Sequence, residues 1–184
     1  MAVDEKLDVS GLACPMPIIK TKKAIAAMKI GETLEIIATD AGSKADLPAW
    51  AQSTGHHYVG LIEEGAVLKH YMRKCDVTMT NEMHFKSTIT NEELLKISPK
   101  PNIIDVRESI EYDFGHIKGA VSMPLGELAL KLASFDQEQT YYLICRSGTR
   151  SDLACKLMVD HGFKHIVNVL PGMQSITTDL EKNI

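Results

Sequence analysis

The chain lacks any apolar run approaching the roughly 20 residues that cross a bilayer. Residues 1–10 carry Asp4, Glu5, Lys6 and Asp8, so they also lack the apolar core of a secretory signal. Cysteine is sparse: Cys14, Cys75, Cys145 and Cys155 lie far apart, matching neither a zinc spacing nor a dense disulfide framework. Nor is there a strong charge of either sign. With 20 Lys and Arg against 24 Asp and Glu, the net charge of −4 makes no electrostatic case for nucleic acid or membrane binding. These absences describe a cytoplasmic protein with reduced thiols. What is present is ordinary globular material, 45% hydrophobic and 24% charged over 184 residues, enough for one domain or two small ones.

The most informative stretch is Thr140–Ser151. Tyr141 to Ile144 is a short aromatic and β-branched run, the pattern of a buried strand. It breaks at Cys145 into a polar loop containing Gly148, after which Ser151 and Asp152 open a helical pattern of Leu153, Ala154, Leu157 and Met158. A cysteine at such a junction sits beside unpaired N–H groups and at the positive end of a helix dipole. Arg146 and Arg150 add two permanent charges nearby. Each feature favours thiolate, the nucleophilic form. The competing reading is a cysteine that merely packs at a strand end; the arginines and the glycine argue against it. Cysteine phosphatases use a related loop one residue longer, wide enough for a tetrahedral oxyanion. The shorter loop closes its N–H groups around something about the size of one sulfur atom.

The run Cys145-Arg146-Ser147-Gly148-Thr149-Arg150 resembles the active-site loop of rhodanese-type sulfurtransferases. Asp105-Val106-Arg107, Glu111-Tyr112, Gly115-His116-Ile117-Lys118-Gly119-Ala120, Met123-Pro124 and Asn168-Val169 before Pro171-Gly172-Met173 fit the same pattern, over residues 88–180. The resemblance implies a persulfide on Cys145, with Arg146, Ser147, Gly148, Thr149 and Arg150 binding the donor or the outer sulfur. A departure lies at Pro171-Gly172 and Ile176-Thr177, where the family often has paired glycines and a tryptophan. Strands alternate with helices here, so a parallel sheet covered on both faces is expected, ending in a helix over Met173–Glu181. Asp105 and Arg107 read as an internal ion pair, His116 as a turn residue and Cys155 as packing.

The first 74 residues read as β-α-β-α-β-β, a two-layer α/β sandwich with a hairpin at Glu64-Gly65. Cys14-Pro15-Met16-Pro17 opens a helix over Ile18 to Met28, because prolines suit a first turn that leaves N–H groups unpaired. Cys14 thus stands at a second helix N-terminus, either as a reactive thiol or as a gap filler. Pro48 is placed in the first turn of a helix over Ser43–Thr54. Asp8, Gly11-Leu12, the Cys-Pro-Met-Pro run, Gly31-Glu32, Asp40, Asp46-Leu47-Pro48-Ala49-Trp50 and Gly55-His56 resemble the signature of the TusA/SirA-like family. That resemblance implies a sulfur carrier that accepts and passes on sulfur at Cys14, with neither metal nor organic cofactor. His56 and His57 read as a surface pair, not a metal site. Lys20, Lys22 and Lys23 read as a solvated helix face near Cys14.

The expected organisation is a carrier domain over 1–74, a linker over 75–87 and a rhodanese-like domain over 88–184. Such a linker reaches about 40 Å extended and about 20 Å as a coil, and tethering gives an effective concentration on the order of millimolar. The expected activity is sulfur transfer from thiosulfate, or from a glutathione-type or other thiol persulfide, to Cys145. Cys14 and a downstream acceptor protein then follow, with a cysteine desulfurase as a further partner. The alternatives are a non-enzymatic carrier or adaptor loaded at Cys14 by such a desulfurase, and a phosphatase or arsenate reductase, which the short loop disfavours.

Overall fold

A computed structural model describes residues 3–76, 85–177 and 180–184. The chain divides into two compact units, Met1–Met79 and Thr80–Ile184. Most of the expected linker, residues 77–84, lies outside the described residues. Among the described residues no helix is long and apolar enough to cross a membrane.

In the first unit the order is β1 (Glu5–Asp8), α1 (Met16–Ala27), β2 (Thr33–Ala38), α2 (Ser43–Ser53), β3 (His57–Glu64) and β4 (Val67–Arg73). The strands form a four-stranded sheet in the order β1-β2-β4-β3. β1 runs parallel to β2, and β4 pairs antiparallel with both β2 and β3. Alternate residues of β2, namely Leu34, Ile36 and Ala38, are buried against Ile25 and Met28 from the first helical segment and Leu47 and Ala51 of α2. Each such side chain contributes on the order of 1.5–3 kcal/mol by leaving water. Pro48 lies inside α2, beyond its first turn, so the interior of that helix forgoes one N–H bond. On the sheet, buried His70 joins Ser43 Oγ through Nε2 (3.0 Å) and Tyr58 Oη through Nδ1 (2.8 Å).

The second unit runs β5 (Thr88–Thr90), α3 (Asn91–Leu95), β6 (Asn102–Asp105), α4 (Ser109–Phe114), β7 (His116–Ile117), β8 (Val121–Ser122), α5 (Leu125–Lys131), β9 (Thr140–Ile144), α6 (Thr149–Asp160), β10 (His165–Leu170) and β11 (Leu180–Glu181). Five strands pair in the order β5-β10-β9-β6-β8, every pair parallel. β7 and β11 make a small antiparallel pair. Strand periodicity decides the two cores. Tyr141, Leu143 and Cys145 face one cluster with Leu128, Ala154 and Met158. Ile144 faces the other, with Leu94, Ile117 and Met173. Thr90 caps α3 in a reciprocal box with Glu93.

One sequence expectation fails in this unit. Met173–Glu181 is not a helix: Met173–Ser175 forms a single 3-10 turn, and Leu180–Glu181 is a strand against β7. The backbone N–H groups of Met173 and Gln174 turn instead to Cys145 O (2.8 Å) and Arg146 O (3.0 Å). The short strand β5 had no visible pattern; its pairing with β10 makes it one.

Candidate active site

Cys145 follows the last residue of β9 and opens the loop that ends in α6. Gly148 has φ +95°, a left-handed conformation that lets the loop turn back over the sulfur. Its N–H donates to Cys145 Sγ at 3.2 Å. The Ser151 hydroxyl lies 3.4 Å from the same sulfur and 3.0 Å from Gly148 O. Gly148 O also accepts from Asp152 N–H (2.9 Å) and Asn168 Nδ2 (3.3 Å), so the single Ser151 proton is shared between that carbonyl and the sulfur. The thiol is the floor of the loop, 1% exposed.

The opposite wall is the segment after β10. A Cβ at Gly172 would stand 2.5 Å from Cys145 O and 2.8 Å from Arg146 O, at φ +88°. Only glycine lets this segment close on the loop. Asn91 fastens it from α3, donating to Gly172 O (2.9 Å) and Ser175 Oγ (2.7 Å).

The two arginines separate. Arg150 is half-buried and forks onto Glu111 of α4, Nη1 to Oε2 at 2.6 Å and Nη2 to Oε1 at 2.9 Å. Burial by itself would lower its pKa, but the Glu111 carboxylate holds the guanidinium above its ordinary value. Arg146 is exposed and makes no ion pair among the described residues. Ser147 and Thr149 are half-buried between them, with hydroxyls 3.5 Å apart.

Cys14 is built differently. It is exposed, in the turn before α1. Pro15 and Pro17 have no N–H, and Met16 N–H is bound to Ala13 O at 3.0 Å, so this helix start presents few donors to a sulfur. Hydrogen bonding to the Asp46 carboxylate, desolvation, and the charges of Asp46 and Asp40 push the pKa of the Cys14 thiol up. These surroundings disfavour the thiolate at Cys14.

Three comparisons bear on this architecture. The model of the family described as Sulfurtransferase TusA matches residues 5–74, and that of the Rhodanese-like domain matches residues 90–179. A Bacillus subtilis protein named "Putative sulfur carrier protein YrkF" is 45% identical over 184 residues, covering 95% of this chain and 96% of that one. The chain belongs to the TusA–rhodanese family. The "Sulfur carrier protein TusA" of Allochromatium vinosum is 44% identical over 71 residues, covering 39% of this chain and 93% of its own length. A rhodanese-like domain protein crystal structure from Staphylococcus aureus superposes with a TM-score of 0.50 at 32% identity, covering 53% of this chain and 98% of that one.

In the rhodanese domain the loop Cys145–Arg150 stands where the sequence placed it, but its second arginine is a clamp between α4 and α6. Paired in this way, Arg150 still interacts through its charge with the Cys145 sulfur. Asp105 and Arg107 are the expected buried ion pair, at 2.6 Å. His116 stacks on Tyr112, with ring centroids 3.6 Å apart, and its Nδ1 meets Tyr112 O at 2.8 Å. Cys155 is wholly buried, and burial pushes its thiol up. In the TusA domain, Cys75 lies near Arg73, whose Nη1 is 3.7 Å from its sulfur, and its N–H donates to His56 Nδ1 at 3.4 Å. Sequence reasoning passed over Ser151, Asn91 and Glu111 as parts of the site. Ser151 stands one turn into α6 from a nucleophile, a legible position; Glu111 fits the rhodanese pattern without its partner being readable, and Asn91 carries no local signal.

Proposed function

We propose that the protein is a sulfurtransferase that takes sulfane sulfur onto Cys145 and relays it through Cys14 to a partner protein. The observation carrying this reading is the Gly148 N–H aimed at Cys145 Sγ at the head of α6; the short Cys145–Arg150 loop supports it. Thiosulfate, or a glutathione-type or other thiol persulfide, is the donor. Cys145 thiolate attacks the sulfane sulfur, a new S–S bond forms, and the old one breaks with its electron pair leaving on sulfite or on the parent thiolate. Gly148 N–H and Ser151 O–H hold the sulfur pair, and exposed Arg146 draws in the anion. Cys14 then attacks the outer sulfur; the S–S bond to Cys145 breaks, its pair returns to Cys145, and the proton lost by Cys14 ends on the released thiol. Joining both thiols in one chain raises the effective concentration for this step to the order of millimolar.

Transfer from thiosulfate to cyanide tests the division of roles. Cys145→Ser abolishes it, and Cys14→Ser leaves it largely intact; equal loss in both refutes the assignment. The exposure of Cys14 supports a second reading, a carrier loaded at Cys14 by a cysteine desulfurase. In that case thiosulfate leaves the mass of the Cys145 peptide unchanged.

A further inference from the structure

Cys145 Sγ is met from inside the protein by donors of two kinds. The Gly148 N–H is fixed by the backbone at 3.2 Å, whereas the Ser151 hydroxyl, 3.4 Å away, can rotate. Ser151 is 0% exposed in the first turn of α6, so its hydroxyl works on the inner sulfur, out of contact with solvent. The ordinary task of a serine there is to donate to the carbonyl three residues back, and its Oγ does lie 3.0 Å from Gly148 O. That carbonyl does not depend on it. Asp152 N–H of α6 reaches Gly148 O at 2.9 Å, and Asn168 Nδ2 of β10, a wholly buried residue, reaches it at 3.3 Å. The hydroxyl can therefore turn to a charged sulfur and leave no buried carbonyl unpaired. A hydrogen bond to a thiolate is stronger than one to neutral sulfur, so this proton follows the charge on Cys145.

Sulfur transfer moves that charge in opposite directions in its two halves. In loading, the Cys145 thiolate attacks the sulfane sulfur of thiosulfate; the new S–S bond forms, sulfite leaves with the electron pair of the old one, and Sγ loses its charge. In discharge, an acceptor thiolate or cyanide takes the outer sulfur; the bond to Sγ breaks and its pair returns to Sγ. We propose that Ser151 is a catalytic residue of the discharge half, its hydroxyl stabilising Cys145 as the leaving group. The same bond restrains Cys145 as the nucleophile in loading, because it must weaken as the charge departs. The serine keeps its proton throughout; only the hydrogen bond moves. The proposal rests on the reading of Cys145 as the sulfur-carrying thiol and assigns this side chain to one half of the cycle.

The experiment uses the full chain carrying Cys14→Ser, so that sulfur stays on Cys145, and follows each half at the alkaline plateau of its pH profile. Loading is read as sulfite released from thiosulfate in a single turnover. Discharge is read as thiocyanate formed when cyanide is added to the loaded chain. A hydrogen bond to charged sulfur outweighs one to neutral sulfur by about tenfold in equilibrium, and roughly half of that difference is felt at each transition state. Ser151→Ala is therefore expected to slow discharge about threefold and to speed loading about threefold. Ser151→Thr keeps the hydroxyl and the parent ratio of the two rates. A serine that only props the loop slows both halves alike, so an unchanged ratio in Ser151→Ala overturns the proposal. Iodoacetamide, a neutral alkylating agent, reads the hydroxyl without any sulfur transfer: its plateau rate at Cys145 rises about threefold in Ser151→Ala. A chain that takes no sulfur from thiosulfate yet shows this rise upholds the hold of Ser151 on the thiolate and defeats the relay reading instead. No rise in such a chain defeats both.

Discussion

Replacing Gly172 by alanine tests the construction of the Cys145 site most directly. At φ +88° an alanine pays about 1–2 kcal/mol for its left-handed backbone alone. Its Cβ would also stand 2.5 Å from Cys145 O and 2.8 Å from Arg146 O, and both are backbone atoms that cannot rotate aside. Relief requires the segment to draw back, which breaks Met173 N–H to Cys145 O and Gln174 N–H to Arg146 O. Two such bonds amount to roughly 1 kcal/mol each, more where the orphaned group stays buried. The sum, about 3–5 kcal/mol, belongs to the exceptional class of single substitutions. In a domain of this size it lowers the midpoint of the rhodanese-domain transition by more than about 10 °C in calorimetry. Thiosulfate-to-cyanide transfer falls with it, because the moved carbonyl belongs to the nucleophile itself. Gly126→Ala is the control: nothing lies within 4 Å of its Cβ, and in helix α5 alanine gains about 0.5–1 kcal/mol. If Gly172→Ala unfolded within 1 kcal/mol of the parent and kept its activity, the reasoning from close approach would be wrong.

Two further predictions concern charge. Glu111→Gln leaves the Arg150 guanidinium half-buried without its carboxylate and costs about 2–4 kcal/mol in urea unfolding, and Arg150→Lys loses the fork to a similar degree; near-parent stability in both would dismiss the clamp. His70 is depressed to about 4 by burial, below its ordinary 6.5, so the folded state binds fewer protons than the unfolded chain between those values. Stability held near neutral pH is then lost as pH falls from 6.5 through 4, by on the order of 3 kcal/mol at the acid end. Parent and His70→Gln chains compared in urea at pH 7 and pH 4.5 should differ in slope, the variant being flatter; equal slopes refute this role for His70.

Where the sequence was legible, the cause was local. The strand-to-loop-to-helix change at Cys145 needs only the apolar run ending at Ile144, the glycine at 148 and the start signals at Ser151 and Asp152. The prolines that start α1 are likewise short-range. The failure at Met173–Glu181 came from apolar spacing read as a helix, when the competing partners of its N–H groups were carbonyls in the Cys145 loop.

Taken alone, the amino-acid order determined two α/β units and put one cysteine at the head of a helix in each, because capping, periodicity and turn chemistry act over a few neighbours. Only the tertiary structure decided what those cysteines face. Glu111 comes from another helix to take up Arg150, and Asp46 from another helix to meet Cys14. The strength of a charge depends on distance in space, and no spacing along the chain reports that.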